Sequence, residues 1–236
     1  MLSLGFSDHS FTECDTSYCM KLSDYEPYIA EVSKLKAEYK DRLPVYLGIE
    51  KDYYSEIDKD AFDYVIASVH YIVHNGVCYP IDHSRVQQED CIREVFGGNV
   101  LDMAKCYYEM VAEHACTAKP DVIGHFDVLN KFSIMPETDE RYMQIALDSM
   151  TEAAKYCKYF EINTGGISRG WRKTPYPSDY LLRHLLSLGG EIVINSDSHH
   201  PDNLDFHFAE SAEILRSVGY THFSVLTPNG FEKIKL

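Results

Sequence analysis

Basic residues are scarce in this chain. Lys and Arg number 22 against 37 Asp and Glu over 236 residues, a formal net charge of −15. That balance excludes the broad basic surface that nucleic acids and anionic membranes require. Hydrophobic runs are short, and none approaches the ~18 apolar residues of a helical membrane span. The opening MLSLGFSDHS lacks the basic region and long apolar stretch of a secretion signal. Cysteine occurs seven times, an odd number with no CxxC pair, so the expectation is free thiols, mostly buried, in a reducing cytoplasm. Repeats, low-complexity tracts and Pro/Gly/Ser-rich linkers are missing too. One domain over 1–236 is therefore expected.

What the chain has is a set of short Val/Ile/Leu-rich runs, each leading into a residue suited to holding a metal. LSLGFSDH ends at His9, PVYLGIE at Glu50 and DYVIASVH at His70. DVIGHFD carries His125 and Asp127, and EIVINSDSH carries Asp197 and His199. Short apolar runs bounded by polar turns read as buried parallel strands. YFEIN (159–163) and HFSVL (222–226) add two more, giving about seven strands. Between them lie helical patterns: 24–39, with Ser23 as N-cap and Glu26 as its capping-box partner, then 99–118, 138–157, 178–188 and 205–218. Strands alternating with helices predict a β/α barrel, whose active site lies at the C-terminal ends of its strands.

Imidazole and carboxylate in one set suit Zn, Mn or Fe, whereas carboxylates alone would suit Mg or Ca. Six residues are candidate ligands: His9, Glu50, His70, His125, Asp197 and His199. Each is weak alone; the signal is their repetition at five strand ends. Asp197 and His199 alternate along one strand and so share a face. His200 and Asp127 are candidates for supporting the ligands or touching substrate. His74, His83, His114, His184, His207 and His222 lack that strand-end placement and read as structural or surface residues. The stretch EINTGGISRGWRKTPYPS (161–178) joins two glycines to Arg169, Arg172 and Lys173. Arg169 and Arg172 are candidate phosphate contacts because a guanidinium offers a planar fork of donors. A solvated loop is the competing reading, and Trp171 either stacks on a substrate ring or packs that loop.

Taken together, GFSDH (5–9), GIE (48–50), SVH (68–70), GHFD (124–127), EINTGGISRG (161–170), YPS (176–178) and SDSHHPD (196–202) resemble the PHP superfamily of metal-dependent phosphoesterases, most closely its histidinol-phosphatase branch. The matches keep the family's order and span nearly the whole chain. The resemblance implies a distorted seven-stranded β/α barrel with two or three divalent ions. It also implies hydrolysis of L-histidinol phosphate to L-histidinol in histidine biosynthesis, with a metal-bound water as nucleophile and none from the protein. By motif, Glu50 would bridge two metals, His70 and His125 would complete one site with it, Asp197 would belong to a second, and His9 and His199 to a third. Arg169 would meet the phosphate. Family members open with a strand ending in H-x-H, and no H-x-H precedes His9 here. The first βα unit is therefore expected to be missing, with only the Glu50/His70/His125 site fully liganded.

The expected partner is a small phosphorylated metabolite, with neither nucleic acid nor membrane, and homo-oligomerisation stays open. Two other readings remain at this point: a PHP hydrolase acting on another phosphoester such as a phosphotyrosine peptide, and a degenerate barrel that binds phosphorylated ligands without hydrolysing them.

Overall fold

The structure is a computed structural model and describes residues 3–236. All seven expected strands form: β1 (Leu4–His9), β2 (Val45–Asp52), β3 (Tyr64–Ser68), β6 (Val122–Ile123), β7 (Tyr159–Asn163), β8 (Glu191–Asn195) and β9 (His222–Thr227). The opening run was read from Leu2, which lies outside the described residues. Strands β1, β2, β3, β6, β7, β8 and β9 pair in that order and all in parallel. Strand β10 (Gly230–Lys235) then pairs antiparallel to β9. The result corrects the seven-stranded barrel: it is an eight-stranded open sheet with β1 and β10 at its two ends. Residues of β1, β2 and β3 line one cavity of about 770 Å³ together with residues of β8, β9 and β10, so the sheet curls until its edges face each other.

Helices α1 (Tyr25–Tyr39), α2 (Arg85–Phe96), α3 (Val100–Ala118), α4 (Glu140–Ala153), α5 (Gly165–Ser168), α6 (Asp179–Ser187) and α7 (Phe208–Val218) complete the chain. The periodicity located α1, α3, α4, α6 and α7; α2, with few apolar positions, was not expected. Asn99 and Asp139 cap α3 and α4 by accepting from backbone N–H groups two residues on. Gly219, at φ +116°, ends α7 in the left-handed conformation that glycine tolerates. Ser23 does not cap α1. A 3₁₀ turn over Leu22–Asp24 precedes that helix, and the Asp24 carboxylate accepts from the Lys21 amide.

A second unexpected element is the hairpin of β4 (Tyr71–His74) and β5 (Val77–Pro80), which places His74 on a strand. Its turn is Asn75-Gly76, both at positive φ, the sequence signature of a two-residue hairpin. Cys78 on β5 is disulfide-bonded to Cys14, in the segment after β1, with Cα atoms 5.4 Å apart. This overturns the expectation that every cysteine is free; the partners are 64 residues apart and leave no local spacing to read. Cys19, Cys91, Cys106, Cys116 and Cys157 are free, and burial pushes the Cys91 and Cys157 thiols up to about 12. No helix among the described residues is long and apolar enough to cross a membrane.

The main core lies between the sheet's outer face and α2, α3, α4, α6 and α7, around Tyr107, Tyr108, Phe126, Tyr142, Phe160 and Leu182. On the cavity side, the Tyr64 ring packs on the backbone of β1 and β2. Tyr64 leans from β3 across β2 to β1, where its hydroxyl donates to the Phe6 carbonyl at 3.2 Å. A Cβ at Gly48 would overlap the Tyr64 ring. Overpacking of this kind costs about 1–3 kcal/mol. The Gly48→Ala variant is therefore expected to lose about 1–3 kcal/mol in urea denaturation at unchanged m-value, and unaltered stability would show that β2 and β3 are not packed as described.

Candidate active site

Parallel register delivers the site. His9 and Glu50 are directly paired residues on β1 and β2, side by side at the strand ends. His70 follows β3 by two residues and His125 follows β6 by two, so both imidazoles enter from the neighbouring strand ends. All four meet at the Glu50 carboxylate. Oε1 lies 3.4 Å from His70 Nε2 and 3.2 Å from His125 Nε2, and Oε2 lies 3.2 Å from His9 Nδ1. Donor atoms of His9, Glu50 and His70 fall within 4.8 Å of one another. Glu50, His70 and His125 are buried.

Burial opposes charge on Glu50, but three imidazoles outweigh it and hold the carboxyl well below its ordinary range. Burial likewise opposes a proton on His70, yet Asp52 and Glu50 raise it well above the usual histidine value. Burial lowers the His9 pKa, an effect that Glu50 and the other nearby carboxylates oppose without overcoming it. A buried carboxylate ringed by ring nitrogens is a donor set for a borderline divalent cation, which would replace the protons these imidazoles otherwise share.

Asp52 was missed in the sequence although it repeats the Glu50 placement two residues along the same strand. It is buried, sits 3.1 Å from His70 Nδ1 and accepts the His70 amide at 3.2 Å. Its carboxylate thereby fixes the His70 ring so that Nε2 faces Glu50. Glu161 on β7 was also missed. It is buried and accepts from the His125 amide, from the Asn163 side chain at 2.7 Å and from the Asn195 side chain at 2.6 Å. It braces the His125 backbone from below, and burial raises its pKa.

Asp197 and His199 lie beyond β8, which ends at Asn195, with Asp197 at φ +47°, so the expected alternation along one strand does not form; a turn instead brings them together, with His199 Nε2 3.3 Å from Asp197 Oδ1. Asp197 Oδ2 is 2.7 Å from the Arg169 guanidinium, which also donates to the Asp197 carbonyl at 3.0 Å. Those partners hold the Asp197 carboxyl low against its burial. The His199 ring is 6.2 Å from His9, so this group adjoins the Glu50 cluster. The cavity of about 770 Å³ opens beneath both, with His9, Glu50, His125, Asp197 and His199 in its lining.

Two of the candidate residues, Arg172 and Asp127, are engaged elsewhere. Arg172 is not a free phosphate contact: its side chain is 8% exposed and is spent on Glu137, at 3.2 Å, and on the Asn130 carbonyl, at 3.0 Å. Asp127 turns away from the ligands to accept from the Ser178 amide and hydroxyl, at 3.0 and 2.6 Å, and so anchors the start of α6. His200 is exposed and accepts from the Asp202 amide in a local turn. The exposed ring of Trp171 packs edge-on against Phe132.

A Deinococcus radiodurans protein named "Probable histidinol-phosphatase" is 32% identical over 236 aligned residues, covering 92% of this chain and 84% of that protein. The chain belongs to the histidinol-phosphatase family. The Bacillus subtilis histidinol-phosphatase is 22% identical over 87% of the chain and 85% of its own length. No family model matches the chain. Among solved structures, a histidinol phosphatase candidate from Listeria monocytogenes superposes with a TM-score of 0.75 at 20% identity, over 88% of each chain. The Lactococcus lactis histidinol phosphate phosphatase, solved with zinc, L-histidinol and phosphate, gives 0.66 at 20% identity, over 98% of this chain and 88% of that one. These two structures share the mixed α/β fold.

If Asp52 orients His70 for a cation, Asp52→Asn weakens divalent metal binding roughly 10- to 100-fold. Equilibrium dialysis with Zn²⁺ or Mn²⁺ reads this directly, and an affinity within twofold of wild type would remove Asp52 from the site.

Proposed function

We propose that this histidinol-phosphatase family member is a metal-dependent phosphomonoesterase that hydrolyses L-histidinol phosphate to L-histidinol and phosphate. The observation that carries the reading is the division of Glu50. One carboxylate oxygen faces His70 and His125, and the other faces His9. Such a carboxylate suits a bridge between two cation sites. Glu50, His70 and His125 would hold one divalent ion, Asp197 would serve a second, and His9 with His199 a third, giving two or three of Zn, Mn or Fe. Bound there, the ions supply Lewis-acid activation of water and neutralise the phosphoryl oxygens.

The chain's own residues supply position and charge. Arg169, half-buried and backed by Asp197, presents its guanidinium beside the cluster and meets the phosphate. Burial of Glu50, His70 and His125 removes competing water and strengthens each electrostatic contact. In the overall reaction, water oxygen bonds to phosphorus, the ester P–O bond breaks, and the alcohol oxygen leaves with a proton. The family names of the Deinococcus radiodurans and Bacillus subtilis relatives and the ligands of the Lactococcus lactis structure support histidinol phosphate as the substrate. Bound dications also reconcile an anionic substrate with a chain of net charge −15.

Purified protein is expected to carry two or three divalent ions per chain by elemental analysis and to release phosphate from L-histidinol phosphate. In Glu50→Gln both the metal and the phosphate release fall to background. Turnover near the wild-type rate in that variant would overturn the assignment.

A further inference from the structure

One charged pair, next to a residue tied to the His70 backbone, has no part in the chemistry above. Asp82 follows β5 and Lys131 follows the 3₁₀ turn at Val128–Asn130; Lys131 Nζ lies 3.3 Å from Asp82 Oδ2. Both side chains are largely buried, at 21% and 13% exposure. Neither drifts on a free loop. The Ile81 amide donates to the His70 carbonyl at 2.9 Å, tying Asp82's neighbour to a candidate ligand. The wholly buried Gln88 of α2 donates through one amide nitrogen to the Ile81 carbonyl at 3.0 Å and the Leu129 carbonyl at 2.8 Å. A single side chain thus bolts together the segments that carry the two charges.

Asp82 also faces the site electrically. Its negative charge acts on His9, His70, Arg169 and Tyr176, which lie on four different segments around the mouth. Burial opposes its ionisation, but Lys131, His70 and His125 keep its carboxyl below the ordinary value. Among the described residues Oδ1 takes no protein hydrogen bond, so Asp82 keeps one acceptor free.

We propose that Asp82 is the specificity-determining acceptor for the primary ammonium of an amino-alcohol phosphate, with Lys131 holding its carboxylate in place. The inference rests on the proposed hydrolysis of L-histidinol phosphate, which carries an ammonium next to its phosphate-bearing carbon. A metal cluster with an arginine answers the phosphate alone and would accept any phosphomonoester that fits. A fixed carboxylate adds discrimination, since a hydrogen bond between charged groups contributes about 1.5–3 kcal/mol, or roughly 10- to 100-fold.

The test compares L-histidinol phosphate with its des-amino analogue, 3-(imidazol-4-yl)propyl phosphate. Wild-type protein is expected to favour the amino substrate at least tenfold in kcat/KM. In Asp82→Asn that ratio collapses to within about threefold of unity, chiefly through a higher KM for L-histidinol phosphate. Equal turnover of both substrates by wild type, or a ratio that survives Asp82→Asn, overturns the inference and leaves the phosphatase reading standing. No turnover of L-histidinol phosphate by metal-loaded wild type overturns the phosphatase reading itself. Wild-type selectivity is read without any variant, so a poorly folding Asp82→Asn does not rescue the inference.

Discussion

The buried Glu50 carboxylate is the constraint around which the rest of the structure is arranged. A charge removed from water is costly unless partners surround it, and removing one partner of a buried ionic group typically costs about 3–5 kcal/mol. Here the partners are three imidazoles from three other strand ends, so no local stretch of sequence can satisfy Glu50 alone. Only the parallel pairing of β1, β2, β3 and β6 brings them together. The same ring of nitrogens that answers the charge is a ready donor set for a cation, so the demand of folding and the demand of metal binding coincide.

Around that centre the supporting carboxylates divide their labour by environment. Asp52 orients an imidazole, Glu161 braces the His125 backbone, Asp197 couples Arg169 to His199, and Asp127 anchors a helix start. An acidic chain can therefore hold a phosphate site: these negative charges are committed to particular donors. The β-strand ends provide the candidate ligands, and the longer segments after β3, β6 and β7 carry Asp82, Lys131 and Arg169. That split between a rigid donor set and residues on longer segments is the usual economy of β/α folds.

Much of this was legible in the sequence because strand ends are marked by composition. All seven parallel strands were readable as apolar runs, and His9, Glu50, His70, His125, Asp197 and His199 do gather at one end of the sheet. What escaped depends on long-range facts. Arg169 and Arg172 look alike in the loop 161–178, yet one lies against Asp197 and the other is sealed against Glu137. His125 and Asp127 share a strand-end pattern, but the 3₁₀ turn at Val128–Asn130 carries Asp127 off to Ser178. Strand β10 is half-exposed and short of apolar alternation, so its pairing with β9 could not be read from pattern. The Asn75-Gly76 turn, by contrast, was a readable hairpin signal.

The Cys14–Cys78 bond has a topological consequence. It closes a ring of chain that contains all of β2 and β3, with Glu50, Asp52 and His70 inside it and His9 just outside. In the chain-entropy treatment, a closure of that length withdraws about 4 kcal/mol of freedom from the unfolded ensemble. It also means that a single backbone cut anywhere between residues 14 and 78 separates nothing. The two fragments stay tethered, and a nicked molecule keeps His9, Glu50 and His70 within one covalent body.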